Sequence, residues 1–146
     1  MVKVHTIEMI EHSSKNFPNV KAHADMINGS LVGMGDGVTV APTAENLYVV
    51  LNVQTGDKEY ADVYPIATGD YVSLYDLKNW TDKKLDITEG NIEGDYADFA
   101  VGTELTFDAN TFKFKVGTAT GGVGFKVTKR WGNIVNGLTV KIIAKD

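Results

Sequence analysis

The chain has 146 residues, no cysteine and a formal net charge of −5, with 43% hydrophobic, 10% aromatic and 23% charged residues. That length supports one domain with its own core, and the composition excludes a chain that is disordered throughout. Absence of cysteine excludes disulfide frameworks, thiol catalysis and zinc–thiolate sites together.

Residues 1–25 have weak periodicity, the polar run "EHSSKN" and Pro18, and read as an N-terminal arm that orders against a partner. Glu8, Glu11 and two histidines interrupt the apolar run that a secretory signal needs. Residues 26–146 read as a single β domain. Its first stretch, Met26 to Pro42, carries Gly29, Gly33, Gly35 and Gly37, which raises the question of a phosphate-binding loop. Such a loop must open a helix, whereas β-branched Val38, Thr39 and Val40 follow here, then Pro42. Turns between short strands are therefore expected.

"LYVVLNV" is apolar at almost every position and predicts a central strand covered on both faces. Further strands are predicted at "KEYADVYPI", "YVSLYDL", "KKLDIT" and "YADFAV", with Pro65 confined to a strand end or a sheet edge. Gly-Asp turns at Gly56, Gly69 and Gly94 are unequally spaced, so they reflect shared turn chemistry rather than a repeat. "TFKFKVG" alternates cleanly, placing Phe112, Phe114 and Val116 on one face, and "GFKVTKRW" places Phe125, Val127 and Lys129 likewise. Glycines 117, 121, 122 and 124 lie between these two runs and predict a hairpin joining them. "LTVKIIAK" supplies a last strand with Leu138, Val140 and Ile142 inward. The predicted fold is all-β, a small β-barrel or β-sandwich with an extended N-terminal arm. Its core is Leu47, Val49, Leu51, Phe112, Phe114, Phe125, Val127, Val140 and Ile142.

No residue pattern nominates a catalytic, cofactor-binding or metal site. His5, Glu8 and His12 would share one face of a helix, but no His-Glu-x-x-His signature accompanies them, and His23 and Glu11 add no register. Asp57, Glu59, Asp62, Asp70, Asp76, Asp95 and Asp98 sit mostly beside turns, with no spacing that singles out an acid–base pair or a calcium loop. None of Ser13, Ser14, Ser30 and Ser73 lies in Gly-x-Ser-x-Gly. Trp80, in the polar stretch "LKNWTDKK", reads as a lid on the core and Trp131 as a core cap. Together with six tyrosines they could instead form a stacking platform for sugars. A non-enzyme without cofactors is expected.

Charge is unevenly spread. Residues 1–30 carry 3 bases and 3 acids, residues 31–110 carry 4 bases against 15 acids, and residues 111–146 carry 7 bases against 1 acid. The acidic middle disfavours binding to duplex nucleic acid, which rests on clustered Lys and Arg. The longest apolar run, "LYVVL", is strand-sized, so no membrane span is expected.

The segments "KAHADMINGSLVGMGDG", "PIATGDYVSLYDL" and "VNGLTVKIIA" resemble the head decoration, or cement, proteins of tailed bacteriophages over roughly residues 20 to 143. The resemblance implies a β-barrel or β-sandwich body that binds the outside of an assembled capsid without enzymatic activity. The implied partner is the major capsid protein lattice, with self-association into an oligomer. The implied location is the virion surface after synthesis in the host cytoplasm. No nucleic acid or membrane partner is implied, and the arm is the expected docking element. The alternative is a carbohydrate-binding or adhesion module of β-sandwich type.

Overall fold

Alternating apolar residues and glycine turns become strands in the computed structural model of the chain, which is 54% strand and 9% helical. It describes residues 2–4, 16–51, 65–132 and 136–145. The strands are β1 (Val2–Val4), β2 (Asn16–Lys21), β3 (Met26–Ile27), β4 (Leu31–Met34), β5 (Thr39–Val40), β6 (Tyr48–Val50) and β7 (Pro65–Ile66). They continue with β8 (Tyr71–Asp76), β9 (Lys84–Thr88), β10 (Glu104–Phe107), β11 (Phe114–Val116), β12 (Gly122–Gly132) and β13 (Asn136–Lys145). All-β is the fold class, as the sequence predicts.

A six-stranded antiparallel sheet in the order β1-β9-β13-β12-β10-β11 curls into a nearly closed, barrel-like form. A second set runs β2-β8-β6-β4-β5, and β3 pairs with β7 in a separate ribbon. "LYVVLNV" does become a central strand, because β6 lies between β4 and β8. Its two faces feed two different cores. Val49 joins Leu31, Leu85, Ile87, Phe114, Phe125, Val140 and Ile142 in the larger one, while Val50 joins Val32, Val72, Leu74 and Ile66 in the smaller. A strand buried on both faces needs a continuous apolar run, which residues 47–51 supply.

Side-chain amides complete the sheet where backbone pairing stops. Asn46 donates from Nδ2 to the Met34 carbonyl at 3.2 Å and accepts at Oδ1 from the Met34 N–H at 3.1 Å. One primary amide thus imitates a neighbouring peptide at the end of β4.

Several local expectations are corrected. The glycine-rich run 117–124 does not join two neighbours, because β11 pairs with β10, and β10 with β12. Phe112 leaves the β11 alternation altogether. Asp108 accepts at one oxygen from the N–H groups of Asn110 and Thr111, each at 2.9 Å, and the tight turn ends with Phe112 at φ +62°. That left-handed conformation is costly for a bulky residue. It is held because Phe112 enters the smaller core, edge-on to His23 with ring centroids 5.3 Å apart. Its carbonyl also accepts from the Leu31 N–H at 2.8 Å. Val116 lies beyond the core margin and is exposed. "YADFAV" is a 3-10 turn over Tyr96–Asp98 rather than a strand, with only Phe99 fully buried.

Two segments of residues 1–25 are strands. β1 pairs with β9 at one edge of the six-stranded sheet, and β2 pairs with β8 at one edge of the five-stranded set. His23 belongs to the body, where its backbone N–H donates to the Thr39 hydroxyl at 2.9 Å and its Nδ1 lies 2.6 Å from the same oxygen. His5, Glu8, Glu11, His12, Ser13, Ser14, Gly56, Asp57, Glu59, Asp62 and Tyr64 lie outside the described residues. Pro65 occupies β7, in a ribbon of two strands, where its missing N–H costs no central ladder bond.

Candidate functional site

The outer face of the six-stranded sheet carries a concavity. It arises from one irregularity in β12. Between Val127 and Lys129 the register with β13 shifts, so Thr128 is an extra residue and Lys129 opposes Thr139. A bulge of this kind reverses the faces of every residue beyond it. Simple alternation would have put Lys129 and Trp131 inward with Phe125 and Val127. The bulge turns both outward instead.

The consequence is a groove of about 540 Å³ lined by Lys84, Asp86, Thr128, Lys129, Trp131 and Thr139. Trp131 is half-buried here and is not the core cap that its sequence position suggested. It opposes Gly137 across the β12–β13 ladder, and its six-membered ring lies over that glycine. A Cβ at residue 137 would come within 2.2 Å of the indole, so glycine is what allows the ring to lie across the sheet. Beneath it, the Tyr96 hydroxyl sits 3.0 Å from the Trp131 carbonyl and 2.8 Å from the Gly137 carbonyl. It donates to one at a time and ties both strands to the 3-10 turn. Arg130 covers the Tyr96 ring at 4.3 Å from its centroid, a cation–π contact on the opposite side of β12 from Trp131.

Charge on this face is concentrated in rows. Lys84, Lys141 and Lys126 are directly cross-strand from one another on β9, β13 and β12, with Glu104 next on β10. Like charges side by side on one face oppose pairing. Lys141 reaches Asp82 at 3.6 Å and Lys145 reaches Glu104, but Lys84, Lys126 and Lys129 have no ion pair among the described residues. Within the groove, the Thr139 hydroxyl donates to Asp86 at 2.7 Å and the Thr128 hydroxyl donates to the Thr139 carbonyl at 3.1 Å. Lys126, Lys129 and Lys141 of the basic C-terminal third therefore share one sheet face with Lys84 of the acidic middle.

Trp80 behaves as the sequence predicts. It is buried in the larger core and stacks on Tyr75 with centroids 5.3 Å apart. Of the carboxylates singled out by sequence, Asp70, Asp76, Asp95 and Asp98 are described, and they are used locally or stay exposed. Asp76 caps the short helix Leu77–Trp80 by accepting from the Lys78 N–H, and Asp70 accepts from the Ala67 N–H at 3.0 Å. Asp95 and Asp98 are exposed on the 3-10 turn. A smaller depression beside the β3–β7 ribbon contains Asp25 and Asp70, and Asp25 is engaged by the N–H and hydroxyl of Thr68. Among the described residues no group of three or more His, Cys, Asp or Glu side chains could hold a metal ion. No described helix is long and apolar enough to cross a membrane.

Three other carboxylates, Asp25, Glu104 and Asp108, make stability sensitive to acid. Asp108 is held below the ordinary carboxylate range mainly by the Thr111 and Asn110 N–H groups, Glu104 by Lys145 and then Thr118, and Asp25 by Thr68. A folded-state value below the unfolded one means fewer protons bound in the native state. The stabilisation is then complete above the unfolded carboxylate range of about 4 and disappears as pH falls through the lower folded values. Urea midpoints should hold steady from pH 7 to 5 and drop below about pH 4. Asp108→Asn should flatten the acid limb of that profile, and an unchanged profile would refute the assignment.

No family model, no curated protein and no solved structure matches the chain.

Proposed function

We propose that the chain is a non-enzymatic structural protein of a phage particle, which decorates an assembled capsid by docking one end of its five-stranded sheet on the shell. One observation carries this reading. Tyr71 is 61% exposed, and Val38 and Val40 are each 37% exposed, beside the cation of Lys21. Lys21 pairs with Tyr71 on β8 and bridges to Val38, and its ammonium lies 5.3 Å from the Tyr71 ring centroid. An aromatic among aliphatic side chains, rimmed by charge, is the composition of a protein-docking surface. The sheet behind it is rigid, so little ordering entropy opposes association.

Co-sedimentation with purified phage heads tests it. The intact protein should pellet with heads, and Tyr71→Ala should bind at least about tenfold more weakly, as loss of an aromatic anchor implies. Equal binding by both forms would remove the patch from the mechanism. Failure of the intact protein to bind any head would reject the capsid reading.

A second reading, a carbohydrate-binding module, is favoured by a different feature, the Trp131 groove on the opposite sheet. The two surfaces are separate, and one does not preclude the other.

A further inference from the structure

We propose that the groove on the outer face of the six-stranded sheet is a binding site for an acidic saccharide. In it a pyranose ring would stack on Trp131 and the sugar's carboxylate would meet Lys84 and Lys129. This rests on the second reading above and deepens it by naming the class of sugar.

Three features of the groove converge on that chemistry. The first is the indole, laid over Gly137 on a backbone that the Tyr96 hydroxyl ties from beneath at the Trp131 and Gly137 carbonyls. An aromatic face beside hydroxyl and charged groups suits a ligand with one apolar and one polar side, and the apolar face of a pyranose is such a surface. The second is size. At about 540 Å³ the groove falls in the range of small-molecule sites, of order 300–1,000 Å³, and is too small to require a macromolecular partner.

The third feature is charge. Lys84 and Lys129 are exposed, approach the groove from β9 and β12, and have no ion pair among the described residues. The row Lys84–Lys141–Lys126 adds further positive potential along one edge. These ammonium groups repel one another without a ligand, and an anion would relieve that repulsion. Asp86, on the groove floor with Thr139 bonded to it, limits the choice of anion. A fixed carboxylate at this distance disfavours a dense polyanion or a phosphate dianion. It tolerates a single carboxylate on a hydroxyl-rich ring. The overall charge of −5 opposes nucleic acid in the same way.

The test is a heteronuclear NMR titration of the full chain, following the two indole N–H resonances, with that of Trp131 identified through Trp131→Phe. The ligands are trigalacturonic acid, a neutral galactose trisaccharide, inorganic phosphate and AMP. Trigalacturonic acid should move the Trp131 resonance and leave that of buried Trp80 in place. The neutral trisaccharide should bind at least about tenfold more weakly, equivalent to about 1.4 kcal/mol. Lys84→Ala with Lys129→Ala should reduce the acidic sugar's affinity by at least about tenfold, consistent with loss of two charge-assisted contacts. The remaining spectrum of that variant should be unchanged, which reports an intact fold. Equal affinity for acidic and neutral sugars would overturn the acidic assignment while keeping the carbohydrate reading. Phosphate or AMP binding as tightly as trigalacturonic acid would reduce the groove to a general anion or nucleotide site and overturn it. No response to either sugar would reject both.

Discussion

Gly122→Ala should lower the unfolding free energy by more than about 3 kcal/mol, combining a left-handed backbone strain of about 1–2 kcal/mol with a backbone overlap. Gly122 opens β12 at φ +66°, and a Cβ there would lie 1.9 Å from the Ala44 carbonyl oxygen and 2.5 Å from its carbon. Neither atom is the end of a flexible side chain. The Val123 N–H donates to that same carbonyl at 3.3 Å, so the 41–46 turn and the start of β12 would have to separate. Gly37→Ala is the control. It has φ +72° but open space where the Cβ would stand, so it should cost only about 1–2 kcal/mol. Urea denaturation of the two variants measures the difference directly. Equal losses would mean that the contact with Ala44 contributes nothing.

Phe114→Ala should cost about 3–5 kcal/mol, the range for truncating a fully buried phenylalanine. Phe114 has no exposed surface and meets Phe125 edge-to-face, with centroids 4.8 Å apart at 64°. Its carbonyl also accepts from the Glu93 N–H at 2.7 Å, which ties the segment after the 3-10 turn Glu89–Asn91 to β11. The cavity left by truncation would face Phe125 on β12, a strand paired on both sides by β10 and β13. Val116→Ala, two residues on in the same strand, should change stability by no more than about 0.5 kcal/mol, because Val116 is already exposed. A loss under about 1 kcal/mol for Phe114→Ala would contradict its burial.

Much of the fold was legible because the large apolar residues of β12 before the bulge and of β13 recur every second position. Phe125, Val127, Leu138, Val140 and Ile142 are buried where alternation places them, and the apolar run at 47–51 was readable as a strand covered on both faces. What escaped was set by single residues that break the period. The bulge at Thr128 has no local signature, since "KVTKRW" alternates on either side of it, yet it decides whether Trp131 faces the core or the groove. Phe112 escaped because Asp108 captures the N–H groups of Asn110 and Thr111 and turns the chain before the alternation resumes. An Asp two and three residues ahead of Asn-Thr is the one signal that could have located that turn. The charge segregation was visible as a tally along the chain. That Lys126, Lys129 and Lys141 share one face with Lys84 depends on β9, β12 and β13 lying side by side, which is long-range pairing that no local window contains.

That arrangement also sets when the molecule can fold. β13, Asn136–Lys145, is not an edge but an interior strand, flanked by β9 and β12. During synthesis the chain emerges from its N-terminus, so β1 and β9 leave the ribosome while the strand that must lie beside β9 is still being made. The larger core cannot close until residue 145 has cleared the exit tunnel. Until then Leu85 and Ile87 have no partners from β13, and the nascent chain presents them to solvent. Folding of the larger core therefore waits for β13, with the β12–β13 hairpin, its longest sequence-local pairing, as the natural nucleus.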